Sequence, residues 1–300
     1  MPNTRSVLNQ RFKAASFYKL AQGLWKSLYY LAFARRAYRF AIRPFVELEN
    51  LDALRLLCTG YPIFEKCLPI RLQVESSFGG KLLILAAHPD DDTVGVGGTI
   101  LQALEKGLHV KVVYVTDGGG GGAGSYESNQ RTRSHEAAEL AKRLGYEYVF
   151  LGAPDGEFPV TEELEEALAQ QILEFNPGAV FLPWLLEAHP SHRQMNRLLL
   201  GAYRRHHFSA PIFAYSVWSN VPANVFVDIT GTMDAKIAAV AQWESQTVIF
   251  DYPNYVRGMN GFYSYLQSGR GYAEPFFSLP ASDYIALLSR YYGAASPAAG

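Results

Sequence analysis

The sequence predicts an α/β protein with a Rossmann-like, mostly parallel, doubly wound sheet and an N-terminal helical extension. From Lys81 onward, short runs of branched apolar residues alternate with longer runs of helical periodicity, as parallel sheets require. The predicted strands are 81–87, 109–116, 147–152, 178–183, 211–217 and 224–229. The predicted helices lie at about 94–107, 129–145, 161–175, 192–205 and 231–246.

The extension is predicted from charge. Residues 1–46 carry nine Lys and Arg residues and no acidic residue, although the whole chain has a net charge of -1. Apolar residues recur there on one helical face: Phe17, Leu20, Ala21, Leu24, Leu28 and Leu31. Such a basic amphipathic helix either lies in a membrane interface or packs on the α/β domain. We predict an extension over 1–78, a domain over 79–292 and a disordered tail over 293–300.

Composition argues against a disulfide-rich protein, a membrane-spanning protein and a nucleic-acid-binding protein. Hydrophobic content of 49% and charged content of 18% are typical of a soluble globular enzyme. Cys58 and Cys67 are too few for a disulfide framework, which fits a reducing compartment. The sequence contains no stretch of 18 uninterrupted apolar residues, so no membrane-spanning helix is predicted. No nucleic-acid-binding fold accompanies the basic residues, which argues against binding to nucleic acid. We expect a cytoplasmic protein, either free or held peripherally at the inner face of the membrane through residues 5–45.

The segment His88-Pro89-Asp90-Asp91-Asp92 directly follows the first predicted strand. Open α/β sheets bind their ligands at the carboxyl ends of strands. Three adjacent carboxylates repel one another, so a nearby cation would stabilise them. The segment therefore predicts a metal site at this edge of the sheet.

A second segment, His189-Pro190-Ser191-His192, follows the fourth predicted strand. One His and one Asp from the first segment with one His from the second would make a triad of nitrogen and oxygen ligands. Three protein ligands leave a position open for water, as in catalytic zinc sites. Zn²⁺ is the favoured metal, and Fe²⁺, Co²⁺ or Mn²⁺ could occupy the same ligands.

Two glycine-rich segments do not predict nucleotide binding. The run Gly118 to Gly122 lacks the Lys-Ser/Thr that a phosphate-binding Walker loop needs. Gly95-Val96-Gly97-Gly98 does not match the dinucleotide-binding spacing, and the preceding carboxylates would repel a pyrophosphate. We interpret the first run as a mobile loop near the site.

These segments resemble the PIG-L/LmbE-like family of zinc-dependent N-deacetylases over roughly residues 80–280. The family carries His-Pro-Asp-Asp-Glu after its first strand and a His-Pro-Asp-His-like motif after a later one. Supporting matches occur in the same order along the chain: Thr116-Asp117-Gly118, Arg133 with Glu136-Ala137, Leu151 to Gly156, Ser245-Gln246, and Gly271-Tyr272-Ala273-Glu274.

The resemblance implies an amidohydrolase that removes the acetyl group from an N-acetylglucosamine-type conjugate. The basic amphipathic N-terminus favours a lipid-linked or membrane-presented conjugate. The resemblance implies Zn²⁺ binding by His88, Asp91 and His192. It further implies that Asp90 is the general base and that His189 stabilises the transition state or protonates the leaving amine. Three side chains would face the sugar: Asp92, Arg133 and Asp155.

The sequence departs from the family pattern at two positions. Asp92 stands where the family usually has Glu, and Ser191 where an Asp usually orients the catalytic histidine. Loss of that carboxylate predicts a lower pKa for His189 and slower turnover than in a typical member. NMR titration of His189 would contradict this if its pKa equalled that in a Ser191→Asp variant.

Two alternatives to a sugar-conjugate deacetylase stay open at this point. One is a deacylase of a soluble small molecule, whose N-terminal helix makes oligomer contacts. The other is a non-catalytic glycan- or lipid-binding module on a hydrolase scaffold. Only Ser191 and Asp92 favour the second, whereas His88, Asp90, Asp91 and His192 argue against it.

Overall fold

The computed structural model describes residues 69–267 and 269–293. The predicted basic helix, with its membrane or packing role, lies outside the described residues, as does most of the predicted tail. Within the described ranges, no helix combines the length and apolar character needed to cross a membrane.

The strands form one eight-stranded mixed sheet with the order β1-β7-β8-β6-β5-β2-β3-β4. β8 is antiparallel to β6 and β7, and the other pairings are parallel. The strands are β1 Ile70–Leu72, β2 Lys81–Ala86, β3 His109–Thr116, β4 Glu147–Ala153, β5 Ala179–Pro183, β6 Ile212–Tyr215, β7 Val225–Asp228 and β8 Ala273–Leu279.

Helices connect and cover the strands. Those of the described residues are α1 Val74–Ser77, α2 Asp91–Glu105, α3 Tyr126–Leu144, α4 Glu162–Phe175, α5 Pro190–Arg205, α6 Met233–Val240, α7 Glu244–Thr247, α8 Tyr252–Gln267 and α9 Ala281–Gly293. A 3₁₀ turn, Thr230–Thr232, precedes α6. Thr161 caps α4 by accepting a hydrogen bond from the Leu164 amide, and three glutamates follow in its first turn.

The two faces of the sheet bury separate apolar clusters. Leu83 and Leu85 of β2 point into one cluster, and Leu82 and Ile84 into the other, because successive side chains of a strand alternate in direction. The first cluster includes residues of α4, α5 and α9, and the second includes residues of α2, α3 and α6. Both faces are therefore covered, and the predicted doubly wound α/β fold is confirmed.

Each of the six predicted strands is present, with small shifts at the ends. The prediction missed β1 and β8 and did not include helices α8 and α9. Ile70–Leu72 lies within the segment assigned to the predicted extension and pairs with β7 at the sheet edge. β8 contains Glu274 and Pro275, which do not follow the apolar pattern of a buried strand.

The sheet has a topological switch point beside β2. This strand pairs with β3 on one side and with β5 on the other, both in parallel. The chain leaves β2 toward β3 and later returns to form β5 on the opposite side. A crevice therefore opens between the carboxyl ends of β2 and β5, where such sheets place their ligands.

Candidate active site

His88, Asp91 and His192 converge at this crevice. Nδ1 of His88 lies 3.2 Å from Nε2 of His192. The Asp91 carboxylate lies 3.4 Å from the first nitrogen and 3.1 Å from the second. Asp91 also accepts a hydrogen bond from the His88 amide, which fixes the β2–α2 turn. The two predicted segments thus come together at one point.

This donor set fits a divalent metal ion. Two imidazole nitrogens and a carboxylate face one centre, and Asp91 and His192 are almost completely buried. Ring nitrogens of His88, His189 and His192 also lie within 4.8 Å of one another, so His189 borders the same centre. Nitrogen and oxygen donors are the ligands of zinc and related divalent metals.

Charge is concentrated around these ligands. Burial by itself would lower the pKa of His192, but Asp91 and Glu187 outweigh it and raise this pKa to about 10. Burial would raise the pKa of Asp91, yet the two histidines hold it well below its usual value. The carboxylate is therefore ionised, which is the form that binds a cation.

Asp90 occupies a strained backbone conformation. Its φ of 126° lies in a region that favours glycine, and it directly precedes the first residue of α2. The carboxylate lies 3.1 Å from Nη2 of Arg133. Burial raises the pKa of Asp90 to about 6, although the guanidinium opposes this. A strained, buried carboxylate with a pKa near neutrality suits a general base.

Arg133 connects Asp90 to Asp155. Its guanidinium is 3% exposed, lies 3.7 Å from Asp155 and donates a hydrogen bond to the Pro89 carbonyl. Asp155 also lies 3.2 Å from Nε2 of His88. Burial opposes ionisation of Asp155, but the hydrogen bond and charge of His88 and the charge of Arg133 together outweigh it and lower the pKa of Asp155 to about 2.

A pocket opens over these groups. Its polar wall includes His88, Asp90, Arg133, Asp155 and His189, and its less polar wall comprises Val94, Val217, Trp218 and Tyr252. The glycine run contributes Gly120 and Gly121 to the lining. A Cβ at Gly121 would approach Nη1 of Arg133 to 2.5 Å, so a side chain at this position would displace the guanidinium. The predicted loop near the site is thus part of the pocket wall.

Comparison with known proteins agrees with this site. A family model described as GlcNAc-PI de-N-acetylase, PIG-L, matches residues 83–203, which include both histidine segments. The diacetylchitobiose deacetylase of Thermococcus kodakarensis is 31% identical over 224 residues, covering 67% of this chain and 83% of that protein. The chain belongs to the PIG-L family. The predicted resemblance is confirmed, and the chain is a hydrolase of the deacetylase type.

Other members of the PIG-L family are similar over shorter or comparable lengths. A 1D-myo-inositol 2-acetamido-2-deoxy-alpha-D-glucopyranoside deacetylase of Mycobacterium sp. (strain KMS) is 28% identical, and the chain spans 61% of it. The solved N,N'-diacetylchitobiose deacetylase of Pyrococcus horikoshii has a TM-score of 0.62 and 28% identity. That match covers 68% of this chain and 85% of the other.

Ser191, the first departure from the PIG-L pattern, forms its hydrogen bond away from His189. Its hydroxyl donates to the Gly156 carbonyl. Nδ1 of His189 is buried and has no hydrogen-bond partner among the residues that the structure describes. Burial, followed by the neighbouring His192 and His88, lowers the pKa of His189 to about 4. These causes do not involve Ser191, so the lower pKa of His189 relative to a protein with an aspartate at position 191 stays a prediction.

Asp92, the second departure from the PIG-L pattern, lies away from the pocket. It is fully buried, and its carboxylate accepts a hydrogen bond from the Tyr146 hydroxyl at 3.4 Å. Burial raises the pKa of Asp92 to about 7, and the charge of Asp90 adds to this rise. Successive helical residues are rotated by about 100° around the helix axis. Asp92 therefore points behind the site, and the prediction that it faces the sugar is corrected.

Glu187 is a residue at the PIG-L site that the sequence did not predict. It is buried near the carboxyl end of β5, and its carboxylate lies 3.5 Å from Nδ1 of His192. In Leu185-Leu186-Glu187-Ala188 a single acid interrupts an otherwise apolar loop. That isolated acid was the available signal, because buried carboxylates require partners.

Proposed function

We propose that this PIG-L protein removes the N-acetyl group from an N-acetylglucosamine-type conjugate with a divalent metal held by His88, Asp91 and His192. The observation that carries the proposal is the convergence of these ligands to within 3.1–3.4 Å beside a pocket. Relatives named as deacetylases of diacetylchitobiose and of a glucosamine–inositol conjugate support the substrate class.

At neutral pH, water is a poor nucleophile and an amide is a poor electrophile, and a metal would improve both. When bound, it polarises the amide carbonyl and lowers the pKa of water to about 7. Zn²⁺ agrees with the donor set, and Fe²⁺, Co²⁺ or Mn²⁺ is compatible with it.

Asp90 acts as the general base. Its carboxylate lines the pocket beside Asp91, and Arg133 holds one oxygen at 3.1 Å. The other oxygen is then available to take a proton from the attacking water and later deliver it to the leaving amine.

His189 stabilises the tetrahedral oxyanion as a hydrogen-bond donor. Its pKa of about 4 leaves the ring neutral near pH 7, so Asp90 rather than His189 protonates the leaving amine. His189 lines the pocket, and its ring centre lies 4.7 Å from that of His88. A ring N–H directed into the pocket would donate to the developing negative charge. Arg133 and Asp155 line the same wall and would contact the sugar.

The proposal is tested by metal analysis and an activity assay on the same samples. The full chain should contain about one zinc per molecule and release amine from N-acetylglucosaminides. Asp91→Ala should lose both properties, whereas Asp234→Ala, which changes an exposed carboxylate paired with Arg257, should keep both. A wild-type protein that binds no added metal would contradict the catalytic mechanism and leave the non-catalytic binding module as the interpretation.

A lipid-linked conjugate is the finer proposal for the substrate. Val248, Ile249 and Phe250 are 77%, 57% and 41% exposed. They lie in the chain between Gln246 and Tyr252, which both line the pocket. Burial of this apolar strip against a hydrocarbon chain would contribute about 25 cal/mol per Å². Peripheral membrane contact through residues 5–45 stays a separate prediction.

Glycosides of increasing alkyl length test the lipid-linked substrate. KM should fall from methyl to octyl N-acetylglucosaminide in the wild type, and a Val248→Ser/Ile249→Ser variant should remove this dependence. An unchanged KM across the series would favour a soluble small-molecule substrate. Binding of the full chain to anionic liposomes at low salt tests the membrane prediction, which we would abandon if no binding occurred.

A further inference from the structure

Glu187 carries a buried carboxylate next to the proposed metal centre. Glu187 is 1% exposed. Burial of a carboxylate destabilises the folded state unless hydrogen bonds compensate for the lost hydration. The partners of the two oxygens therefore indicate what the side chain does.

One group of partners belongs to the segment after β6. Oε1 of Glu187 accepts from the amides of Val217 at 2.7 Å, Trp218 at 3.0 Å and Ser219 at 3.0 Å. Oε2 lies 3.1 Å from the Trp218 amide and 3.2 Å from that of Ala188. Because Val217 and Trp218 line the pocket, this carboxylate holds part of the pocket wall.

The other partner is a proposed metal ligand. Oε2 of Glu187 lies 3.5 Å from Nδ1 of His192, which is an ion-pair distance, and among the described residues this buried nitrogen has no partner with hydrogen-bond geometry. Nε2 of the same ring faces Asp91 and His88. A carboxylate beside Nδ1 favours a proton on that nitrogen. Nε2 then presents its lone pair to the metal, and the carboxylate increases the basicity of the ring.

We propose that Glu187 is a positioning residue that couples the pocket wall to the metal centre. The same carboxylate holds the amides of Val217–Ser219 and orients the imidazole of His192. The inference deepens the proposed function, because it assumes that His192 is a metal ligand. A carboxylate that merely stabilised the 217–219 segment would affect folding without affecting metal affinity.

Glu187→Gln in the full chain separates these two roles. The amide has nearly the same shape but no charge, and it no longer favours a proton on Nδ1 of His192. We expect zinc affinity, measured by competition with a chelator, to fall about 10- to 100-fold. Near-UV circular dichroism should change as well, and a Trp218→Phe variant identifies the contribution of this indole.

Glu136→Gln is the matched control. Glu136 also accepts from a backbone amide, that of Ser245 at 2.8 Å, and from the Ser245 hydroxyl at 2.7 Å. It thereby supports the neighbour of the pocket residue Gln246. Its change should leave zinc affinity at the wild-type value, because Glu136 is not a partner of the proposed ligands.

A folded Glu187→Gln protein with wild-type zinc affinity would overturn the inference. If that variant does not fold, NMR of ¹⁵N-labelled histidines in the zinc-loaded wild type decides. A proton on Nδ1 of His192 supports the inference, and a metal bond to Nδ1 refutes it. A wild type that binds no zinc contradicts the metal mechanism itself, an outcome distinct from unchanged affinity in the variant.

Discussion

Nδ1 of His88 lies 3.2 Å from Nε2 of His192, although the two histidines are 104 positions apart in the chain. Parallel pairing of β2 with β5 produces this contact, because it places the carboxyl ends of both strands side by side. The Asp91 carboxylate closes the triangle at 3.1 and 3.4 Å. The predictions below depend on this geometry and on the backbone that supports it.

Metal removal should lower the stability of the protein. A metal that binds only the native state at a free concentration 100 times its dissociation constant contributes about 2.7 kcal/mol. We expect chelation to lower Tm by several degrees and added zinc to restore it, as measured by calorimetry. Asp91→Ala should show the same Tm with and without zinc, and an equal response to zinc in this variant would contradict the ligand assignment.

Replacement of Asp90 should separate backbone strain from catalysis. Asp90→Gly and Asp90→Ala both remove the carboxylate, so both should abolish amine release. Glycine tolerates the φ of 126°, whereas alanine retains the strain. We expect the glycine variant to be more stable than the alanine variant by about 1 kcal/mol in urea unfolding. Equal stability of the two would show that this conformation is not strained.

Arg133→Lys should impair the reaction although it keeps the positive charge. The planar guanidinium reaches Asp90, Asp155 and the Pro89 carbonyl together, and a lysine ammonium cannot reproduce this geometry. We expect kcat/KM to fall on the order of 10²-fold, because small displacements of catalytic groups are costly. Arg131→Lys, on the exposed face of the same helix, should retain wild-type kinetics. A wild-type kcat/KM in Arg133→Lys would show that the reaction does not depend on the guanidinium of Arg133.

Gly95→Ala should destabilise the fold even though alanine favours helices. A Cβ at this position would clash with Cδ2 of Tyr215, a fully buried residue whose hydroxyl donates to the Leu85 carbonyl. Overpacking of this kind costs about 1–3 kcal/mol. Gly231→Ala is the control, because a Cβ there meets no atom within 4 Å. Chemical denaturation of both variants measures the difference, and equal stabilities would contradict the close packing of α2.

Ser191→Asp should cost stability rather than simply restore the family motif. Ser191 is fully buried and donates to the Gly156 carbonyl, whereas an ionised aspartate is only an acceptor. The change would place a carboxylate against a carbonyl oxygen, with a cost of about 1–3 kcal/mol. Ser191→Ala removes the hydrogen bond without adding charge and should be the more stable of the two in thermal unfolding. The reverse order would show that the site accommodates the carboxylate.

Local patterns were sufficient to predict most of the sheet. Strands such as β2 and β5 are buried on both faces, so they appear in the sequence as short continuous apolar runs. β8 escaped prediction because Glu274 interrupts its pattern. That carboxylate is buried against the ammonium of Lys236 at 2.7 Å, and it also accepts from the Gly98 amide. These partners are distant in the sequence, so the periodicity of residues 273–279 alone could not indicate that the charge of Glu274 is compensated.

The site, like the sheet, was predicted where local sequence patterns were informative and missed where they were not. Polar residues directly after apolar runs predicted His88, Asp91, His189 and His192 at one sheet edge, because carboxyl ends of parallel strands share an edge. The directions in which the side chains point could not be predicted from the local sequence pattern. Asp92 turns behind the site, whereas Glu187 turns toward His192.

The sequence by itself determined most of the elements, the sheet edge at which the polar side chains gather and the residue types found there, since these depend on local periodicity and residue chemistry. Only the tertiary structure decided which carboxylates face the pocket and which support it. Direction depends on packing between segments far apart in the chain, as Glu187 shows by accepting from amides 30 to 32 positions away.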